Sequence, residues 1–555
     1  MQIIIPMSGF GERFRKVGYE VPKPLIEVEG RPIISHVIDM FPGEKNFIFI
    51  CNEDHLKNPK FKMAETLTHY APHSKILSIK SHKLGPVHAV LQAKKHIKLD
   101  KEVIVNYCDF TCYWNWDNFK NFVIKKNFDG CIPSYKGFHP HSLGNTNYAY
   151  LKERKGRVYD IQEKKPYTNN RMEEYASSGT YYFKNGKILL DSLEYCIEEK
   201  LKTGSEYYIS LAYKYLFEKK LKVGVYSLQH FMQWGTPEDL NEYCTWSEIF
   251  NEFLKEKINN SEPKGSIIIP MAGLGKRFAD EGYNQTKPLI PVSGEPMAIR
   301  AVQDLPKSKY HSFILRRETS NYKLIVENLK EEFQNSTFKT IDYLTDGQAS
   351  TALLGVEELK DKYSSIEGPI TFGACDNGAI YNRNSLRKLM NDNSIDIIVW
   401  GYRGNPNAIR NPQMFGWVEE KNNIVQKISV KSPLKNTSSD PIVTGTFTFK
   451  NSEIYFESVN RLYDRKGKVN GEYYIDACIN DAISLGYNCV LFEVDYYLSW
   501  GTPNDLKTFE YWQSCFHKWN THPYTLFKDR NISESSSKYL DKIYSNFRDN
   551  EKFEN

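Results

Sequence analysis

Short runs of β-branched and apolar residues, each closed by Gly, Pro or polar positions, alternate with stretches of helical periodicity along the first half of the chain. Runs at 2–6, 46–51, 75–80, 102–107 and 129–134 read as buried strands, with helical patterns near 33–41, 60–70, 86–97 and 115–126 between them. This alternation predicts an α/β domain with a mainly parallel sheet and helices on both faces. The second half repeats the pattern at an offset that drifts from 264 to about 266 residues. Eighteen of the thirty positions from Ile3 to Pro32 recur unchanged from Ile267 to Pro296. A period near half the chain means two copies of a whole domain rather than a solenoid. The expected divisions are a first domain over 1–256, a linker over 257–265, a second domain over 266–518 and a tail over 519–555. The tail has no counterpart in the first copy, and Ser533 to Ser537 with the charged end read as mobile or peripheral.

The repeated segment carries the candidate chemistry. Ile3-Ile4-Ile5-Pro6-Met7 is followed by Gly9-x-Gly11-x-Arg13-Phe14 and then Lys23-Pro24-Leu25-Ile26. The second copy reads Ile267 to Met271, Gly273-x-Gly275-x-Arg277-Phe278 and Lys287-Pro288-Leu289-Ile290. Glycines after a buried strand allow a tight turn whose N–H groups can face phosphate oxygens. Arg13 and Arg277 add a planar cationic fork suited to phosphate, and Lys23 and Lys287 add a second cation. One Gly-x-Gly is a weak signal, and the bland reading is a structural turn with surface cations. The whole string found twice is a strong one.

This string resembles the signature of the sugar-phosphate nucleotidyltransferases, the NDP-sugar pyrophosphorylases, through both halves of the chain. The wording around Ile-Pro-Met and Lys-Pro-Leu-Ile looks like the branch found with capsule and surface-polysaccharide genes. The resemblance implies two copies of a Rossmann-like nucleotide-diphospho-sugar transferase domain. It implies an enzyme that joins a nucleoside triphosphate to a sugar phosphate, or a related phosphate, and releases pyrophosphate with Mg²⁺. Gly9, Gly11, Gly273 and Gly275 would hold the nucleotide; Arg13, Lys23, Arg277 and Lys287 would neutralise phosphates. Gly85, Gly347 and Gln348, each opening a helix, would face the base, with a structural helix start as the competing account. The runs ending in Cys108-Asp109 and Cys375-Asp376 match the strand that carries the family's metal aspartate, although a strand-end Asp is also often a helix cap.

Tyr148, the pair Glu163-Lys164 and Gly179 resemble the acceptor pocket, matched by Lys431 and Gly445 in the second copy. Val430 stands where the first copy has Glu163, so the two pockets should not prefer the same acceptor. A surface ion pair is the alternative for Glu163 and Lys164. His139 and His141 have no match in the second copy and read as loop packing or phosphate contacts. The family's second metal carboxylate is missing from Gln233-Trp234-Gly235-Thr236 and Ser499-Trp500-Gly501-Thr502, which leaves Glu206, Glu472 or Asp495 as substitutes.

Composition narrows this picture only slightly. Of 555 residues, 40% are hydrophobic and 25% charged, as in ordinary globular proteins. A net charge of +5 over that length gives no case for nucleic acid or a membrane surface. No apolar run approaches a membrane span, and a strand starting at residue 2 leaves no room for a leader, so the cytoplasm is expected. The ten cysteines lack C-x-x-C spacing, which points to buried free thiols. Oligomeric state is not legible. Two other functions stay open: one catalytic domain with one regulatory binding domain, or a nucleotide-sugar-dependent glycosyltransferase. The second lacks its usual D-x-D, which occurs nowhere in the chain.

Overall fold

The computed structural model describes residues 1–256, 262–363 and 366–545. Most of the expected linker (257–261) and the last ten residues of the expected tail lie outside these. The chain divides into two compact units. The first holds Met1–Phe250 and Tyr511–Thr525 together with the chain from Lys542 on, and the second holds Asn251–Glu510 and Leu526–Asp541.

The first unit is built on one sheet of ten strands: β1 (Gln2–Met7), β2 (Phe47–Asn52), β3 (Lys75–Ile79), β4 (Val103–Asn106), β5 (Gly130–Tyr135), β6 (Ala149–Arg154), β7 (Arg157–Glu163), β8 (Tyr175–Ser177), β9 (Thr180–Phe183) and β10 (Val223–Leu228). Their spatial order is β8-β6-β7-β10-β5-β9-β4-β1-β2-β3. The run β3-β2-β1-β4 is wholly parallel, as the alternation of strands and helices predicts. β9 enters antiparallel between β4 and β5, and β6, β7 and β8 form an antiparallel extension. The sheet is therefore mixed, with its parallel part under the glycine-rich loop. Ile3, Ile4 and Ile5 are fully buried, and Ile4 packs with Val87 and Val90 of the helix Pro86–Gln92. Each such side chain contributes about 1.5–3 kcal/mol of burial free energy, so the loop after β1 springs from the stiffest part of the sheet.

The second unit repeats the topology with nine strands: β11 (Ser266–Pro270), β12 (Tyr310–Arg316), β13 (Ser336–Ile341), β14 (Ile370–Phe372), β15 (Ile397–Tyr402), β16 (Gly416–Lys421), β17 (Ile424–Val430), β18 (Ile442–Phe449) and β19 (Cys489–Glu493). Their order is β13-β12-β11-β14-β18-β15-β19-β17-β16. The single strand β18 takes the places of both β8 and β9. The chain is thus two mixed α/β sheets of the same winding.

The segment beyond Lys518 is partly buried, while Ser533, Glu534 and Ser535 are exposed and the charged end lies outside the described residues. Tyr524 and Leu526 are completely buried, and Glu534–Ser545 is a helix with Ser537 and Leu540 inside. Within the first unit the Tyr511 hydroxyl donates to the Phe231 carbonyl at 2.8 Å and accepts from its N–H at 3.0 Å. Trp519 lies against His36 and Trp234, and the Tyr243 ring meets Trp512, Phe516 and Trp519. Aromatic area, invisible to a search for a matching copy, anchors this segment.

Candidate active site

A cavity of about 380 Å³ opens in the first unit where β1 and β4 end. It is lined by Gly9, Gly11, Arg13, Lys23, Gly85 and Asp109 together with Tyr148, Glu163, Lys164 and Gly179. Gly11 sits at φ +65, the left-handed region that a side chain resists, and turns the chain into the helix Glu12–Lys16. Nothing lies within 4 Å of where a Cβ on Gly9 or Gly11 would stand, so this stretch of backbone is open to a ligand.

Lys23 projects from a short turn fixed by Pro24, and its Nζ donates to Asp109 Oδ2 at 2.8 Å. Burial lowers the affinity of Lys23 for its proton, but the charge and hydrogen bond of Asp109 outweigh it and the net shift is upward. The ammonium is therefore charged and held by the one partner it would exchange for a phosphate. Lys287 and Asp376 form the same ion pair in the second unit, and Lys287 is shifted upward by the same causes. Burial pushes the Cys108 thiol up to about 12, which leaves it a neutral wall.

Gly85 has φ +85, and a Cβ there would stand 2.7 Å from the Tyr207 carbonyl oxygen. Gly347, at φ +128, has Tyr473 backbone atoms 2.6 Å away. Backbone pairing locks both crossings: Tyr207 N–H to Leu84 at 2.9 Å and Val87 N–H to Tyr207 at 3.1 Å, matched by Tyr473 to Asp346 and Ala349 to Tyr473. These glycines therefore have a structural reason beside any contact with a base. Gln348 is the first residue of the helix Gln348–Tyr363.

Lys164 stands at φ +58, directly after β7, and its Nζ donates to the Tyr208 hydroxyl at 2.6 Å. That hydroxyl donates in turn to Glu206. Lys431 occupies the same strained conformation at φ +56, with its Nζ 5.8 Å from the Tyr474 ring centroid. Backbone strain of this kind persists only where surrounding structure imposes it. Burial pushes the Glu163 carboxyl up to about 7, opposed by Ser210 and Lys164 and aided by Glu206. Its Oε2 accepts from Ser210 Oγ at 2.6 Å, so it is not a loose surface ion pair. A Cβ on Gly179 would meet the Tyr107 ring at 3.0 Å, whereas near Gly445 the closest atom is Asn377 Nδ2 at 3.4 Å.

Glu206 and Glu472 are engaged by Tyr208 and Tyr474, and Asp495 is exposed in the turn after β19. Among the described residues no cluster of three or more His, Cys, Asp or Glu side chains is assembled. Three carboxylates line the cavity; Glu163 and Glu206 are taken up by Ser210 and Tyr208, which leaves Asp109 for a cation, with Gln233 also on the cavity wall. A hard cation that arrives with phosphates needs only one or two protein carboxylates, and this donor set fits that case. Asp239 and Asp505 sit three residues after Thr236 and Thr502 and accept their hydroxyls at 2.8 Å, as helix-capping partners. His139 and His141 pack among Tyr135, Tyr148 and Phe231. Tyr107 and Tyr208 also line the cavity, and Ser210 bonds Glu163; the Glu-Tyr-Tyr-Ile string at 206 and 472 carries the signal for Tyr208, while Ser210 lies just outside it.

A glycine-rich loop, a lysine–aspartate pair and a cavity thus lie together beyond the parallel strands of the first unit. Residues 2–245 match the family model for Nucleotidyl transferase, so the first unit carries a nucleotidyl transferase domain. The chain is similar to the Bifunctional protein GlmU of Clostridioides difficile (strain 630), 26% identical over 274 residues, which cover 48% of this chain and 54% of that protein. It is 24% identical over 283 residues to the Bifunctional protein GlmU of Methanocaldococcus jannaschii, covering 51% of this chain and 61% of the relative. The chain thus spans little more than half the length of these curated relatives. A solved nucleoside-diphosphate-sugar pyrophosphorylase from Vibrio cholerae RC9 is 23% identical with a TM-score of 0.37, covering 44% of this chain and 98% of that one.

Proposed function

We propose that the protein transfers a nucleotidyl group from a nucleoside triphosphate to the phosphate of a sugar or related hydroxylated compound, releasing pyrophosphate. The observation that carries this reading is the single cavity in which the loop glycines, Arg13, the Lys23–Asp109 pair and the Glu163-Lys164 end meet. The acceptor phosphate oxygen attacks the α-phosphorus, and the bond to the β-phosphate oxygen breaks. Loop N–H groups and Arg13 hold the β and γ phosphates, and Lys23 leaves Asp109 to neutralise the α-phosphate and the incoming oxygen. Asp109, so released, would hold a magnesium ion, which supplies charge neutralisation between the phosphates when bound. Tyr148, Glu163, Lys164 and Gly179 orient the acceptor. Rate comes from positioning and preorganised charge, with no covalent enzyme intermediate. The particular wording of the doubled motif supports a role in capsule or surface-polysaccharide synthesis.

The test is pyrophosphate release by the full chain across four nucleoside triphosphates and a panel of sugar phosphates. Lys23→Ala and Lys287→Ala, singly and together, assign turnover to each unit. The second unit lacks two hydroxyls of the first, with Ala374 for Tyr107 and Phe415 for Tyr148. This difference supports the narrower reading, that it binds without turning over. Turnover unchanged by Lys287→Ala selects that reading, and turnover unchanged by both substitutions together rejects the proposal.

A further inference from the structure

The replacement of Glu163 by Val430 is one of three linked changes. β7 pairs Glu163 with Ala149 across the hairpin, and β17 pairs Val430 with Gly416 at the same register. Ser210, which donates to Glu163, is the second residue of the helix Ile209–Glu218. The second residue of the matching helix Ile475–Ser484 is Asp476. The set Ala149, Glu163 and Ser210 thus becomes Gly416, Val430 and Asp476. The carboxylate has not been lost. It has crossed from the strand to the helix.

Space was made for it. A Cβ on Gly416 would stand 2.3 Å from Asp476 Oδ2, far inside contact distance, so a side chain at that place would turn the carboxylate from its present position. Asp476 is half-buried; its own backbone N–H bonds the carboxylate, and among the described residues no side-chain donor takes the place that Ser210 has at Glu163. Lys431 lies close enough to lower its proton affinity against the larger effect of burial, which pushes it up to about 6. Lys431 in turn feels Arg277 and Glu472, so the carboxylate belongs to the cluster that includes the loop arginine.

We infer that Asp476 is the hydroxyl-reading carboxylate of an acceptor pocket in the second unit, admitted by Gly416, and that its ligand is a polyhydroxylated phosphate whose hydroxyl is approached from the helix side. This inference rests on the proposed transferase reading. The two pockets still differ, because the carboxylate enters from another direction.

The experiment uses the full chain with Lys23→Ala, so that the first unit is silenced. Binding isotherms are taken with glucose 1-phosphate, N-acetylglucosamine 1-phosphate, mannose 1-phosphate and glycerol 3-phosphate, alongside pyrophosphate release. Asp476→Ser is expected to weaken binding of at least one probe about tenfold or more, the loss of a charged hydrogen bond, with nucleoside triphosphate affinity unchanged. Gly416→Ala should produce a similar loss with the carboxylate still present. The triple variant Gly416→Ala, Val430→Glu, Asp476→Ser should restore binding and move preference toward the probe chosen by the first unit. Melting curves exclude misfolding as the cause. If no probe's affinity changes more than twofold on Asp476→Ser, the inference is overturned. Pyrophosphate release absent from the unaltered chain, with Asp476-dependent binding intact, would reject the transferase reading and leave the binding site standing.

Discussion

Replacing Glu163 by glutamine should remove a specific pH dependence from the first unit. Burial pushes this carboxyl from an ordinary 4.5 up to about 7, so the folded protein holds its proton more tightly than the unfolded chain. Between these values the unfolded chain has released the proton and the folded one has not, so rising pH favours unfolding. The stability conferred by the proton is fully present below 4.5 and is lost as pH rises through about 7. The difference corresponds to about 3 kcal/mol, or a factor of roughly 300 in an opening equilibrium. Glutamine is neutral throughout and can still accept from Ser210 Oγ. Hydrogen exchange of peptides covering Arg157–Glu163, compared between variant and parent at each pH, reads this directly. At pH 8 the variant should exchange about 300-fold more slowly, with the ratio approaching one at pH 4.5. A ratio that does not change with pH would refute the reasoning.

Three further outcomes follow from the geometry. Gly85→Ala combines φ +85 with a backbone clash, whereas Gly11→Ala at φ +65 meets open space. Denaturant midpoints should therefore fall by the equivalent of about 2–4 kcal/mol in the first and about 1 kcal/mol in the second. The double variant Lys23→Ala, Lys287→Ala should lose about 100-fold or more in kcat, measured by pyrophosphate release, with melting temperature little changed. Chelation of divalent ions should abolish turnover, and added Mg²⁺ should return it. Asp109→Asn should raise the Mg²⁺ concentration needed for half-maximal rate, and an unchanged requirement would remove Asp109 from the proposed ion site.

The parallel part of each sheet was legible because its strands and helices differ in period. All five strand runs read in the first half fall on β1 to β5. The antiparallel insertion of β9 was not, since periodicity does not say which strand pairs with which. The glycine loop, Arg13, Lys23 and Asp109 could be read from a repeated string. The carboxylate at Asp476 could not be read by comparing single positions, because its gain is compensated on two other elements, at Gly416 and Val430. Only strand register and the clash at Gly416 connect the three. The packing of residues 511–525 was missed because aromatic burial leaves no motif.

That last feature bears on biogenesis. Synthesis at roughly 5–20 residues per second puts on the order of tens of seconds between the emergence of Phe250 and that of Tyr511. Throughout that interval the nascent first unit lacks Trp519 and Tyr524, and its aromatic face waits for them. Truncations near residue 256 should accordingly aggregate, and chaperone dependence should be greatest before Tyr511–Thr525 emerges. Maturation of the first unit is tied to the arrival of that segment.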